Sequence, residues 1–152
     1  MNVEHNYKRK IKSMNHQTIR KAEIKLVRGL LDLVVLGLLK EKSSHGYGII
    51  TSIRKNFGVY FGPSTVYPLL GELEKKGSIK SEWDLTHDRP RKVYSLTAEG
   101  QSLLTGAEQS LYQICNRLNE FGMNRLNFNP SVEVPNKFND VISLWTIIKT
   151  KT

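Results

Sequence analysis

The stretch PSTVYPLLGELEKKGSIKSEWDLTHDRPRKVYSL, residues 63–96, changes periodicity half-way along, and that change decides the fold. In its first half Val66, Leu69, Leu70 and Leu73 stand at i, i+3, i+4 and i+7, one face of a helix. Pro63 suits a first helical turn, and Gly77 falls where a left-handed residue ends a helix after Lys75 and Lys76, so a helix is expected over 63–76. At about 100° per residue, Ser64, Pro68, Gly71 and Lys75 lie opposite the apolar stripe, with Tyr67 and Glu72 on its flanks. Pro68 removes a helix hydrogen bond unless it lies near the first turn. After Gly77, Ile79–Asp84 and Arg91–Leu96 read as two short strands around a loop containing Asp88 and Pro90, a hairpin that needs the helices for support.

Working upstream, Leu30–Lys42 is apolar on most sides and reads as a buried helix, while Ile49, Ile53 and Phe57 recur every four residues in a second, Gly46–Phe57. Ser43 and Ser44 are its candidate N-caps and Gly58 its terminator. Downstream, Thr97 caps a long helix over about 98–124, with Glu99 in the first turn. Leu104, Ala107, Leu111, Ile114, Leu118 and Phe121 follow in a heptad pattern. Such a helix would be roughly 40 Å long, which favours self-association over packing on its own small domain. Three helices followed by a ribbon is the order of a winged helix-turn-helix. The expected fold is mainly α with a small two-stranded β-wing and a long C-terminal dimerisation helix. Its divisions are a basic N-terminal arm or extra helix at 1–28, a winged-helix domain at 29–97, the dimerisation helix at 98–126, and a loop with a short apolar segment at 127–152.

The charge is uneven. The 152 residues hold 23 Lys and Arg against 14 Asp and Glu, a formal +9, and residues 1–28 alone hold eight against two. Lys8, Arg9, Lys10 and Lys12, then Arg20, Lys21, Lys25 and Arg28, suit a polyanion, because each neutralised phosphate releases condensed counterions. The same residues also suit a solvated tail, and Ile11, Met14, Ile19, Ala22 and Leu26 have loosely helical spacing. In the wing, Arg89, Arg91 and Lys92 around Pro90 suit phosphate contacts or a narrow minor groove.

Other classes have little support. A single Cys115 forms no internal disulfide, and no secretory signal follows the basic start, so a cytosolic protein is expected. The longest apolar run, Gly29 to Leu39, is too short to span a bilayer, as is Val141 to Ile148, which reads as a docking helix, a partner-binding segment or a weak surface anchor. His5, His16, His45 and His87 are scattered and no Cys/His spacing suits zinc. Ser43 and Ser44 beside His45 lack an orienting acid. An enzyme is not expected, and neither catalytic residues, a metal nor a cofactor is assigned.

Residues 26–104 resemble the PadR family of transcriptional regulators through four collinear motifs. These are Arg28-Gly-Leu-Leu-Asp-Leu-Val-Val-Leu-Gly-Leu-Leu39, His45-Gly-Tyr-Gly-Ile49, Ser64-Thr-Val-Tyr-Pro-Leu-Leu70 running into Leu73-Glu-Lys-Lys-Gly77, and Arg89-Pro-Arg-Lys92 running into Tyr94-Ser-Leu-Thr-Ala-Glu-Gly100. The resemblance implies a dimeric repressor whose C-terminal helix builds the dimer, and one evident long helix after the wing suggests the smaller subgroup. It implies DNA contacts from Ser64, Thr65 and Tyr67 at the start of the recognition helix, and from Arg91 and Lys92 in the wing. His45 and Tyr47 match the segment entering the second helix, where Tyr47 is either a phosphate contact or a core aromatic. Asp88 stands where the family often has Gly, and the basic arm exceeds its minimal pattern. A small aromatic effector near the dimer interface is also implied, with Tyr112, Phe121 and Trp145 either lining its site or simply packing.

The resulting expectation is a homodimer on an inverted-repeat operator in double-stranded DNA. Helix 63–76 would lie in the major groove with Ser64, Thr65, Tyr67 and Lys75 near bases or phosphates, and wing 79–96 would hold the backbone or minor groove. The alternatives are a winged-helix protein-interaction module and a weakly specific architectural DNA binder.

Overall fold

The computed structural model describes residues 16–86 and 88–122. Lys8, Arg9, Lys10, Lys12, His87, Trp145, the loop at 127–139 and the apolar segment 141–148 lie outside them, as does helix 98–126 beyond residue 122. The chain divides into two compact units, Met1–Leu31 and Asp32–Thr152.

In the first unit, α1 spans His16–Gly29, so the second half of the basic arm is helical. In the second, α2 spans Leu31–Glu41 and begins within one residue of the expected boundary. Val34, Val35, Leu36 and Leu39 are buried and Asp32 is exposed. Helix α3, Gly46–Phe57, buries Ile49, Ile50, Ile53 and Phe57 and ends at Gly58 in the left-handed region. Helix α4, Pro63–Lys75, buries Val66, Leu70 and Leu73 of the stripe the spacing predicts, with its fourth member, Leu69, half-buried. Pro68, the sixth residue of α4, is exposed and the helix continues through it.

Helix α4 ends in a reciprocal pair of backbone bonds. Ser78 N donates to Leu73 O at 2.9 Å and Gly77 N to Glu74 O at 3.0 Å, while Gly77 takes φ 75°. That is the Schellman arrangement, and it turns the chain directly into the sheet. The strands are β1 (Ser44–His45), β2 (Ile79–Asp84) and β3 (Arg91–Leu96), antiparallel in the order β1-β3-β2. The expected hairpin is present within the stated boundaries, with Ile79 opposite Leu96 and Asp84 opposite Arg91.

The third strand corrects the capping expectation. Ser43 and Ser44 do not cap α3: the N-cap is His45, extended and without a side-chain cap bond. Ser44 instead pairs with Tyr94 across the sheet, and Ser43 Oγ lies 2.9 Å from Ser95 Oγ. The backbone before α3 is thus held by the sheet, which removes the need for a hydroxyl cap.

Helix α5, Ala98–Glu120, is about 34 Å long at 1.5 Å per residue. It stops short of residue 124, with Phe121 at the C-cap and Gly122 at φ 89°. Thr97 caps it as expected, its Oγ1 accepting from Gly100 N at 3.0 Å and donating to Gly77 O at 2.6 Å. Thr97 N also donates to Ser78 O at 3.2 Å, so the start of α5 is stitched to the turn that ends α4.

Candidate nucleic-acid interface

The outward face of α4 carries exposed Ser64, Tyr67, Pro68, Gly71 and Lys75, with Thr65 half-buried. Its N-cap is Gly62, in extended backbone and without a side-chain bond to the first N–H groups. Tyr67 leans toward the start of α3: a Cβ on Gly46 would come within 2.5 Å of Tyr67 Cε1 and 2.8 Å of Cζ. The phenol ring thus lies close over Gly46, and this contact joins the His45–Ile49 and Ser64–Leu70 motifs. Tyr47, one residue on, is 67% exposed. That excludes the core-aromatic reading and leaves the ring on the surface.

Tyr60 is a surface aromatic to which the sequence reading gives no role. Val59 and Phe61 are buried on either side of it, so the alternation pins the backbone and holds Tyr60 outward at 62% exposure. Its hydroxyl lies 3.6 Å from where a Cβ on Gly62 would stand, beside the start of α4. The signal was a period of two in Val59-Tyr60-Phe61, too short to stand out in a loop.

The wing is fastened to α4 by a charged cluster that the sequence reading does not contain. Lys92 Nζ on β3 donates to Glu74 Oε2 on α4 at 2.8 Å, and Ser81 Oγ on β2 donates to Glu74 Oε1. Lys92 Nζ also stands 5.3 Å from the centre of the Tyr94 ring. The Lys92 ammonium, expected on DNA, is thus engaged within the chain, whereas Arg89 and Arg91 are exposed on the wing. The Lys92 hydrogen bond, then that of Ser81, holds the Glu74 carboxyl below its usual value near 4.5, and the bond to Glu74 raises Lys92.

A carboxyl whose pKa is lowered on folding stabilises the fold above its unfolded value, and that contribution is lost as pH falls through the folded value. The clamp therefore weakens below about pH 4.5. Glu74→Gln should flatten the acid side of a urea-stability profile, an effect of about 0.2–1 kcal/mol because the pair is about one-third exposed. An acid limb unchanged in the variant would show that Glu74 does not set it.

Of the expected dimer seam, Leu104 is fully buried in its own chain and so is withdrawn from any interface between chains. Ala107 and Leu111 are half-buried, whereas Ile114, Leu118 and Phe121 are exposed at 53%, 36% and 87%. Tyr112 is half-buried. Burial raises the Cys115 thiol on the same helix. Among the described residues no cluster of His, Cys, Asp and Glu could hold a metal ion, and no helix is long and apolar enough to cross a membrane.

A helix with a polar and aromatic outer face, clamped to an arginine-bearing ribbon, defines a winged-helix protein. Residues 35–106 match the model of the Transcriptional regulator PadR-like family. A PadR family transcriptional regulator from Eggerthella lenta has a solved structure that superposes with a TM-score of 0.64 at 31% identity, covering 70% of this chain and 94% of that one. The "Uncharacterized protein X" of Lysinibacillus sphaericus is 34% identical over 83 residues, 53% of this chain and 76% of that protein. The transcriptional regulator Rv3488 of Mycobacterium tuberculosis is 32% identical over 77 residues, 51% of this chain and 61% of that protein. The chain belongs to the PadR-like family of transcriptional regulators.

Proposed function

We propose that the protein is a cytoplasmic, non-enzymatic repressor that binds an inverted-repeat operator as a homodimer. Each α4 enters a major groove, and each wing grips the backbone or the adjacent minor groove. The observation that carries this reading is the exposed face of α4, with Ser64, Tyr67 and Lys75, held in fixed relation to the wing by Glu74 and Lys92. A protein-interaction module has no use for an arginine-tipped ribbon fixed beside a polar helix face. Thr65 and Tyr67 read bases. Arg89 and Arg91 hold phosphates, and Tyr47 and Tyr60 flank them. Ile114, Leu118 and Phe121 form the mating face, since at i, i+4 and i+7 they make one exposed apolar patch along α5, the kind that marks a protein–protein contact.

Selection from a random-sequence duplex library tests the reading: the enriched sites should be palindromic, with half-sites about one or two helical turns apart. Enrichment without two-fold symmetry overturns the dimer on an inverted repeat. On the selected duplex, Arg89→Ala with Arg91→Ala should weaken binding to all sequences and reduce the salt slope by roughly 0.9 per lost phosphate contact. Thr65→Ala or Tyr67→Phe should instead change the preference among sequences. Equal losses on every duplex from both sets would remove α4 as the reader.

A further inference from the structure

We propose that α1 is a separate DNA-binding surface, a helix that grips phosphates without regard to sequence; this rests on the DNA-binding reading above. In α1, Lys21, Lys25 and Arg28 stand at i, i+4 and i+7, and all three are exposed. They fall within one narrow arc of the helix and span about 10 Å of its axis. Duplex DNA carries about six negative charges over that length. The helix contains one acidic residue, Glu23, which is paired with Arg20 at 3.0 Å away from this arc. Lys21 and Lys25, like charges at i and i+4, repel each other, and an anion along the helix relieves that repulsion.

The same helix makes a poor membrane anchor. An interfacial helix needs a broad apolar face, but Val27 is buried and Ile19 and Ile24 are half-buried, which leaves Leu26 as the one large apolar side chain of α1 in water. A nucleic-acid backbone asks for no apolar face. The arrangement also differs in kind from α4 and the wing: it offers flexible ammonium groups that neutralise charge, without the fixed donors that would distinguish bases. The site therefore adds affinity and leaves the choice of sequence to α4.

The test uses the full-length chain with Lys21→Gln and Lys25→Gln together, and separately Lys21→Glu with Lys25→Glu. Circular dichroism serves as the check that both fold. Fluorescence anisotropy is read across a potassium chloride series on the duplex enriched by selection and on a shuffled copy. The expected result for the Gln pair is a salt slope shallower by about 1.8 per bound protomer, with an equal fold-loss on both duplexes and an unchanged ratio between them. The Glu pair should lose more on both.

A slope and affinity identical to wild type, with discrimination intact, would overturn the role of α1 while leaving the DNA-binding reading standing. A changed ratio between duplexes would overturn the indifference to sequence. Failure of the wild type to bind either duplex at low salt would remove the functional reading and this inference together. Capture of the wild type but not the variants by phosphatidylserine vesicles, with the duplex slope unmoved, would assign α1 to a lipid surface instead.

Discussion

Gly100→Ala is expected to undock α5 from the winged-helix body. A Cβ at that position would stand 1.9 Å from Ser78 O and 2.9 Å from Ser78 C, with Leu96 Cδ1 at 2.8 Å. Side chains can rotate away from an added methyl, but the main obstacle here is backbone. That backbone is itself fixed, because Ser78 N closes the end of α4 onto Leu73 O and Ser78 O receives Thr97 N. Relief requires the start of α5 to lift, which breaks the Thr97 cap and draws Leu104 out of the core. The cost should sit at the top of the overpacking range, about 3 kcal/mol, read as a lowered urea midpoint. A variant as stable as the wild type would mean that α5 is not seated where the structure has it.

The second large effect concerns the mating face. On the proposed mating face, Ile114→Asp or Leu118→Asp would bury an unpaired carboxylate against the apolar partner, which is not tolerated. Light scattering should report a monomer, with the circular dichroism of the folded chain retained because both positions are exposed in the single chain. Affinity for a palindromic duplex should fall by about 10²–10⁴-fold, the gain that linking two half-site contacts normally brings, while binding to one half-site stays the same. An unaltered dimer mass would place the interface elsewhere. The same substitution at Leu104 would unfold the chain and could not test the interface, since that side chain belongs to the core.

Much of this architecture is legible in residues 63–96. The i, i+3, i+4, i+7 stripe, the closing Gly77 and the two six-residue strands all emerge within a residue of their expected bounds, because each is a local property of the chain. What the sequence conceals is long-range. Glu74 looks like any acidic residue on a helix flank, and nothing near it reveals that Lys92, 18 residues on, will meet it. Lys92 correspondingly looks like one more wing cation. The strand Ser44–His45 has two residues and so no periodicity, and its serines invite a capping interpretation that the sheet supersedes. Leu104 matches the heptad as well as Ile114 does; the division between core and interface depends on where the domain body ends along α5, which spacing alone does not encode.

The position of the charged clamp has a consequence for how such a wing can evolve. Glu74 holds Ser81 in the middle of β2 and Lys92 one register position from the last paired residues, Asp84 and Arg91. The ribbon is thus braced against α4 well toward its tip. Residues beyond that brace can be lengthened, shortened or rewritten without loosening it, so the tip of the wing can change while the helices keep their stability.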